Sequence, residues 1–264
     1  MSILRDSLWI VIGVGNIGRI LLGRLSAAGV PADHLAVYDN DPERAQAASS
    51  LYRARIISLA DPAISAANAL LIATPPPVVL PVLQTLTGRL WPGQLVVSFA
   101  AALPLARLQA VLPPGVGLAR VMPNAPSLIG MGMNPVVYGE TVTPAMRQLL
   151  TALLETLGDS LEVRDEQMNW CAALSGSPMR SLLPVLEGMT QAGIEAGLPA
   201  HDARRVAAQV MAGTAALVLQ TQLSFEQLKA LTPMQTVDEG SVAQLFLEAA
   251  RAVKDKIDQL RNKL

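Results

Sequence analysis

The chain has 264 residues, 51% hydrophobic, 16% charged and only 3% aromatic, with a net charge of −1. That length supports one large domain or two modest ones with real cores. The near-neutral, aromatic-poor composition excludes a nucleic-acid binder that works through basic patches and base stacking. A single cysteine, Cys171, rules out an internal disulfide and fits a reducing cytosol, so the expected location is cytoplasmic. No uninterrupted apolar run reaches the roughly 18 residues that read as a membrane span.

Taken in order, the first element is an apolar strand over residues 8–12, running straight into Gly13-Val14-Gly15-Asn16-Ile17-Gly18. This strand consumes the apolar N-terminal run, so the start does not read as a signal peptide. A helical pattern follows at Ile17, Ile20, Leu21 and Leu25. Strand, glycine turn and helix N-terminus together make an anion site with three separate glycine roles. Gly13 allows the sharp turn, Gly15 lets a pyrophosphate approach the backbone, and Gly18 lets helix and strand pack closely. Free N–H groups and the helix dipole favour the anion, with Asn16 and Ile17 in the same turn. Asp39 ends a second strand-like run (Leu35 to Tyr38), twenty-one residues after Gly18. A carboxylate there accepts a ribose 2′-hydroxyl and repels a 2′-phosphate, which favours NAD. Arg44, one helical turn further on, keeps NADP open.

Asp41-Pro42 starts the second helix, with Asp41 as cap and Pro42 at the first helical position. A short strand is expected near Ile56-Ile57 and a short helix after Asp61-Pro62. The next strand covers residues 69–73 and breaks at Thr74-Pro75-Pro76-Pro77, before a helix over residues 78–86. Further strands are expected at 95–99, 117–122 and 134–138, with a helix over 105–111. Alternation of this kind builds a parallel sheet covered on both faces.

From Thr143 the pattern turns helical. Helices are expected over 144–157, closed by Gly158, then 166–197 with a kink at Pro184, 200–220, 224–231 and 238–260. A weak strand remains at Leu161-Glu162-Val163. The expected domains are therefore 1–164, dinucleotide-binding, and 165–264, all helical. The helix from Ala203 to Leu219 is apolar on most faces, so the helical domain is expected to bury itself in a homodimer or higher homo-oligomer.

Two constellations could carry chemistry. Arg120-Val121-Met122-Pro123-Asn124-Ala125-Pro126 lies where a strand ends at the ligand-binding edge of an open sheet. The Asn124 amide could hold a nicotinamide carboxamide or a substrate group, or the segment is simply a rigid turn. Ala173-Leu174-Ser175-Gly176-Ser177 reads as a helix start that could bind an anion or cap the helix. The absences are equally informative. All four lysines (Lys229, Lys254, Lys256, Lys263) lie in the last 36 residues, and the two histidines, His34 and His201, sit in loop-like positions. Alcohol oxidation needs a base for the hydroxyl proton. An imine is protonated in water near neutral pH and needs only a hydride and orientation, so carbon–nitrogen chemistry is favoured. The alternatives are a dehydrogenase of another small carbonyl or hydroxy acid, and a non-catalytic dinucleotide-binding protein. No His/Cys/Asp/Glu spacing suggests a metal.

GVGNIG, Val97-Ser98-Phe99-Ala100-Ala101, RVMPNAP, ALSGS at 173–177 and Ala192-Gly193-Ile194-Glu195-Ala196-Gly197-Leu198-Pro199 occur in the order and spacing of pyrroline-5-carboxylate reductase. The chain resembles that family over nearly its whole length. The resemblance implies a Rossmann domain, a helical dimerisation domain and NAD(P)H-dependent reduction of a cyclic imine to proline. It puts Ala73, Thr74, Pro75 and Ala100 beside the cofactor, and Asn124, Ser175, Ser177, Arg180 and Thr236 toward the substrate. Three departures stand out. Pro178-Met179-Arg180-Ser181 replaces the family's Gly-Pro-Ala-Tyr. Leu231-Thr232-Pro233-Met234-Gln235-Thr236 replaces the Ser-Pro-Gly-Gly-Thr-Thr stretch that holds the proline carboxylate. Thr74-Pro75-Pro76 replaces Val-Lys-Pro. Arg180 could supply the lost carboxylate contact, since a guanidinium fits a carboxylate bidentately; the alternatives are that it faces solvent or pairs with an acid such as Glu187. The expected substrate is accordingly an altered imine, or pyrroline-5-carboxylate turned over poorly.

Overall fold

A computed structural model describes residues 2–232 and 234–264. After a single turn, α1 (Ser2–Arg5), strand β1 (Trp9–Ile12) leads into α2 (Asn16–Ala27), then β2 (Leu35–Tyr38), α3 (Pro42–Tyr52), β3 (Arg55–Ile56), α4 (Ala63–Ala66), β4 (Ala69–Ile72) and α5 (Pro76–Leu86). The chain continues through β5 (Leu95–Ser98), α6 (Leu105–Gln109), β6 (Gly117–Val121), β7 (Gly132–Tyr138), α7 (Pro144–Leu157) and β8 (Gly158–Glu162). The eight strands form one sheet in the order β3-β2-β1-β4-β5-β6-β7-β8, parallel except where β7 meets β6. Val11 pairs with Val37 on one side and Leu71 on the other, so β1 is central.

Strand side chains point alternately to opposite faces, and here both faces are buried, which is why the strands read as continuous apolar runs. Trp9 and Val11 join Val37, Leu71 and Val97 under Leu21 and Leu25 of α2 and Leu150 and Leu153 of α7. Ile10 and Ile12 join Leu70, Ile72 and Val96 under Val79, Leu83 and Leu86 of α5 and Leu108 of α6. The carboxyl ends of β1, β2, β4 and β5 come together at one edge, and the expected glycine turn sits there.

The helical remainder comprises α8 (Met168–Gly176), α9 (Pro178–Glu195), α10 (Ala200–Gln220), α11 (Phe225–Ala230) and α12 (Glu239–Lys263). One compact unit runs to Gly176 and takes back Val253–Leu264; the other is Ser177–Ala252. The sequence places its boundary near Asp165, whereas α8 packs on β7 and belongs to the first unit. The end of α12 also returns there: Asp258 accepts from Asn169 Nδ2 at 2.8 Å, and Leu264 packs against the α5–α6 face of the core.

Two local expectations change. The single helix expected over 166–197 is two, α8 and α9, separated at Ser177, and Pro184, the expected kink, lies inside α9. Pro178 fits the first turn of a helix, where its missing N–H costs nothing, so Gly176 and Pro178 make Ser177 the natural break. The ALSGS segment is consequently the last turn of α8 plus the N-cap of α9, rather than a helix start throughout. The weak strand also begins earlier, at Gly158. In the second unit, Gly193 lets α9 approach α10, since a Cβ there would lie 2.9 Å from the Ala203 Cβ. Val206, Val210, Leu217, Leu245 and Leu247 remain exposed.

Candidate cofactor site

The glycine turn is shaped by three different constraints. Gly13 has φ +92°, and a Cβ would sit 2.8 Å from the Ala73 carbonyl oxygen. Gly18 packs so tightly that a Cβ would collide with the Gly13 carbonyl. Gly15, by contrast, has ordinary φ and open space where its Cβ would be. It is the N-cap of α2, and no side chain caps that helix. Gly13 and Gly18 therefore serve the fold, and Gly15 keeps the approach to the α2 amides clear.

That approach opens into a cavity of about 660 Å³ lined by Gly13, Gly15, Asn16, Ile17, Asp39, Ala73, Thr74, Pro75 and Ala100, all anticipated from the sequence. Arg44, which the sequence offers for NADP, lines it too, as do Tyr38, Asn40, Phe99 and Met122, which the sequence does not single out for the cofactor. Gly18 lies behind the wall and Asn124 is not part of it. Asp39 is held rigidly: Oδ2 accepts the Val14 N–H at 2.8 Å and Oδ1 accepts the Asp41 N–H at 2.9 Å. Each carboxylate oxygen keeps a further lone pair for a ligand hydroxyl. The Thr74 Oγ1 is buried with no hydrogen-bond partner. Open space above an uncapped helix N-terminus, with a fixed carboxylate one strand away, fits a dinucleotide.

Asn124, read from the sequence as either a ligand group or part of a rigid turn, is bonded through its side chain to two backbone groups. Its Oδ1 accepts the Met133 N–H at 3.1 Å, and its Nδ2 donates to the Ser175 carbonyl at 2.9 Å. The side chain thus ties the turn after β6 to β7 and α8. Beneath it, fully buried Ser127 donates to Asn134, which donates on to the Asp159 carbonyl. The Ser175 hydroxyl donates to the Cys171 carbonyl within its own helix. Ser177, Arg180 and Thr236 fall in the second unit. Arg180 is exposed and, among the described residues, has no ion pair, with Glu187 or any other acid. Thr236 is exposed in a stretch without helix or strand, and Pro233 beside it lies outside the described residues.

One buried arginine has an ion pair that leaves no mark in the sequence. Arg120 on β6 is 2% exposed and pairs through Nη1 with Asp165 Oδ1. Asp165 Oδ2 also accepts the Leu105 N–H at 2.9 Å, at the start of α6. Burial lowers the Arg120 pKa below its ordinary value, and the Asp165 charge partly offsets this.

Comparison with known proteins places this geometry. The family described as "NADP oxidoreductase coenzyme F420-dependent" matches residues 10–102, and "Pyrroline-5-carboxylate reductase dimerisation" matches residues 165–260. A pyrroline-5-carboxylate reductase of Corynebacterium melassecola is 30% identical over 264 residues, covering 95% of this chain and 97% of that protein. The chain belongs to the pyrroline-5-carboxylate reductase family. It is an NAD(P)-dependent oxidoreductase with a dimerisation domain. Two solved structures share the fold: pyrroline-5-carboxylate reductase of Coxiella burnetii (TM-score 0.80, 23% identity, 96% of this chain and 98% of that one) and pyrroline carboxylate reductase of Plasmodium falciparum with NADP bound (TM-score 0.83, 17% identity, 97% and 99%). The family-matched segment opens at residue 165, the acid that pairs with Arg120, and both residues lie in the first compact unit.

Proposed function

We propose that this protein reduces the C=N bond of a cyclic imino acid, 1-pyrroline-5-carboxylate or a close analogue, with NADH preferred to NADPH. The observation that carries the reading is the open, uncapped α2 N-terminus facing a cavity whose far end is fixed by Asp39. When bound, the nicotinamide coenzyme supplies a hydride to the imine carbon. The chain's own residues bind and orient. The amides at the start of α2 hold the pyrophosphate, Asp39 takes the adenosine ribose, and the Ala73–Pro75 and Phe99–Ala100 segments wall the cavity. The imine nitrogen takes its proton from water, so no buried base is required, in keeping with four lysines confined to the last 36 residues.

The substrate carboxylate needs a cation or amide donors. Arg180, exposed and unpaired, supplies the cation where the relatives' glycine-rich stretch is replaced by Thr232 to Thr236. Asn124 positions α8 rather than touching substrate. Ser177, at the N-cap position of α9, and Thr236 remain candidates for the substrate side. The apolar faces of α10 and α12 and the match to a dimerisation family support a homodimer. No helix among the described residues is long and apolar enough to cross a membrane, and the single cysteine fits a cytoplasmic enzyme. Steady-state reduction of 1-pyrroline-5-carboxylate by wild type, Arg180→Lys and Arg180→Ala tests the substrate half. The reading expects KM to rise about tenfold or more in Arg180→Ala with partial rescue by lysine; unchanged KM in both variants refutes the role of Arg180.

A further inference from the structure

The adenosine end of the cavity carries more charge than Asp39 alone. After β2 the chain runs Asp39-Asn40-Asp41-Pro42-Glu43-Arg44. The Asp41 N–H donates to Asp39, which fixes Asp41 at the head of α3. Asp41 Oδ1 accepts the N–H groups of Glu43 at 3.0 Å and Arg44 at 3.3 Å, and its Oδ2 lies 3.1 Å from Arg44 Nε. Among the described residues lining the cofactor cavity, Arg44 is the one cation and Asp39 the one acid. Arg44 also lines an adjoining cavity of about 670 Å³ between α2 and α3, where Asp41 joins it and Gly15 and Asn16 are shared. The cation that could receive a 2′-phosphate is therefore already engaged by a carboxylate.

We propose that Asp41 is a positioning residue for cofactor choice: it holds Arg44 in an ion pair and withholds that guanidinium from a 2′-phosphate. The inference rests on the Asp39 reading and deepens it. An exposed ion pair is weak in itself, and a dianionic phosphate would compete for the arginine. What decides is the local balance of charge. With Arg19, Asp41 and Glu43 lining the adjoining cavity, a phosphate entering here meets three carboxylates and two guanidiniums, and the Arg44 Nε edge is taken. Removing the Asp41 charge leaves two against two and frees Arg44. Asp39 still selects the ribose hydroxyl, so NADH binding is not coupled to position 41.

Asp41→Asn tests this, because the asparagine Oδ1 can still cap α3 while the charge is gone. Wild type, Asp41→Asn, Arg44→Ala and the double variant, each as the full chain, are titrated with NADH and NADPH by nucleotide fluorescence, without substrate. Asp41→Asn should tighten NADPH about fivefold, the size of one unit charge removed at short range in a water-like medium. NADH should stay within about twofold. Arg44→Ala should change NADPH by less than about twofold in the wild-type background and abolish the gain in the Asp41→Asn background. The proposal is overturned if Asp41→Asn leaves NADPH binding unchanged. It is also overturned if Arg44→Ala alone weakens NADPH about tenfold, because Arg44 would then already serve the phosphate. A wild type that prefers NADPH contradicts the Asp39 reading instead, and the coupling between positions 41 and 44 is still read from the four proteins.

Discussion

The carboxylate of Asp39 accepts the backbone N–H of Val14 at 2.8 Å, tying the end of β2 to the middle of the glycine turn after β1. The residue expected to select the ribose thus also sets the shape of the turn that holds the pyrophosphate. Asp39→Ala should loosen both contacts at once: NADH affinity should fall by more than tenfold, roughly the loss of a charge-assisted hydrogen bond plus a disordered turn. Calorimetric titration with NADH checks this, and an unchanged dissociation constant would mean that neither the ribose contact nor the turn's hold on the pyrophosphate depends on the carboxylate.

The three glycines should separate cleanly by assay. Gly15 has free space at its Cβ and caps α2, and serine is a better N-cap than glycine. Gly15→Ser should therefore keep or slightly raise Tm while lowering cofactor affinity about tenfold or more, since its side chain occupies the phosphate approach and bids for the same amides. Gly13→Ala and Gly18→Ala should each cost about 2–4 kcal/mol of stability, from positive φ in one case and a backbone collision in both. Thermal melts with and without NADH distinguish the two kinds of effect.

Asn124 links β7 to α8 through two bonds, and truncation leaves the Met133 N–H and Ser175 carbonyl without their partner. Asn124→Ala should cost about 2–3 kcal/mol in denaturant unfolding, the range for two part-buried polar groups left unpaired, with NADH affinity preserved. A variant of wild-type stability that has lost turnover would instead place the amide on the substrate.

Removing Asp165 strands the buried Arg120 charge, so Asp165→Ala should destabilise by about 3–5 kcal/mol. Arg120→Met combined with Asp165→Ala should cost less than Asp165→Ala alone, because no unpaired charge remains. Equal losses in the single and double variants would show that Asp165 matters only through its bond to Leu105.

The return of α12 to the sheet has a pH signature. Hydrogen bonds from Lys254 and from Asn169 hold the Asp258 carboxyl below its ordinary pKa. A depressed carboxylate pKa stabilises above the unfolded value and loses that contribution as pH falls through the folded one. Lys254 lies in the same segment, so the Asn169 bond is what ties residues 253–264 down, and that tie should weaken below about pH 4. Amide exchange in that segment should accelerate there, and Asp258→Asn should remove the step.

Much of the first unit was legible in the sequence because local chemistry and tertiary structure agree there. GVGNIG has apolar flanks that can only be a buried strand and a helix, and Asp39 ends the neighbouring strand. The cavity walls Ala73, Thr74, Pro75 and Ala100 followed from motif order. What escaped was long-range pairing. Arg120 and Asp165 are 45 residues apart, and neither residue type announces a partner. Asn124 reads equally as a ligand group or as part of a rigid turn, because its two bonds run to backbone groups, which leave no mark in side-chain patterning. The break at Ser177 also goes unmarked, because the apolar pattern runs on across it, although Ser177 stands between a glycine and a proline.

The most direct test of the whole account follows NADH absorbance in a reaction of the purified full-length protein with 1-pyrroline-5-carboxylate, run beside the Gly15→Ser variant. The account predicts substrate-dependent NADH oxidation by the wild type, slower with NADPH, and its loss in Gly15→Ser at unchanged Tm. No oxidation of either coenzyme by a wild type that binds NADH, with this substrate or its ring analogues, would contradict it.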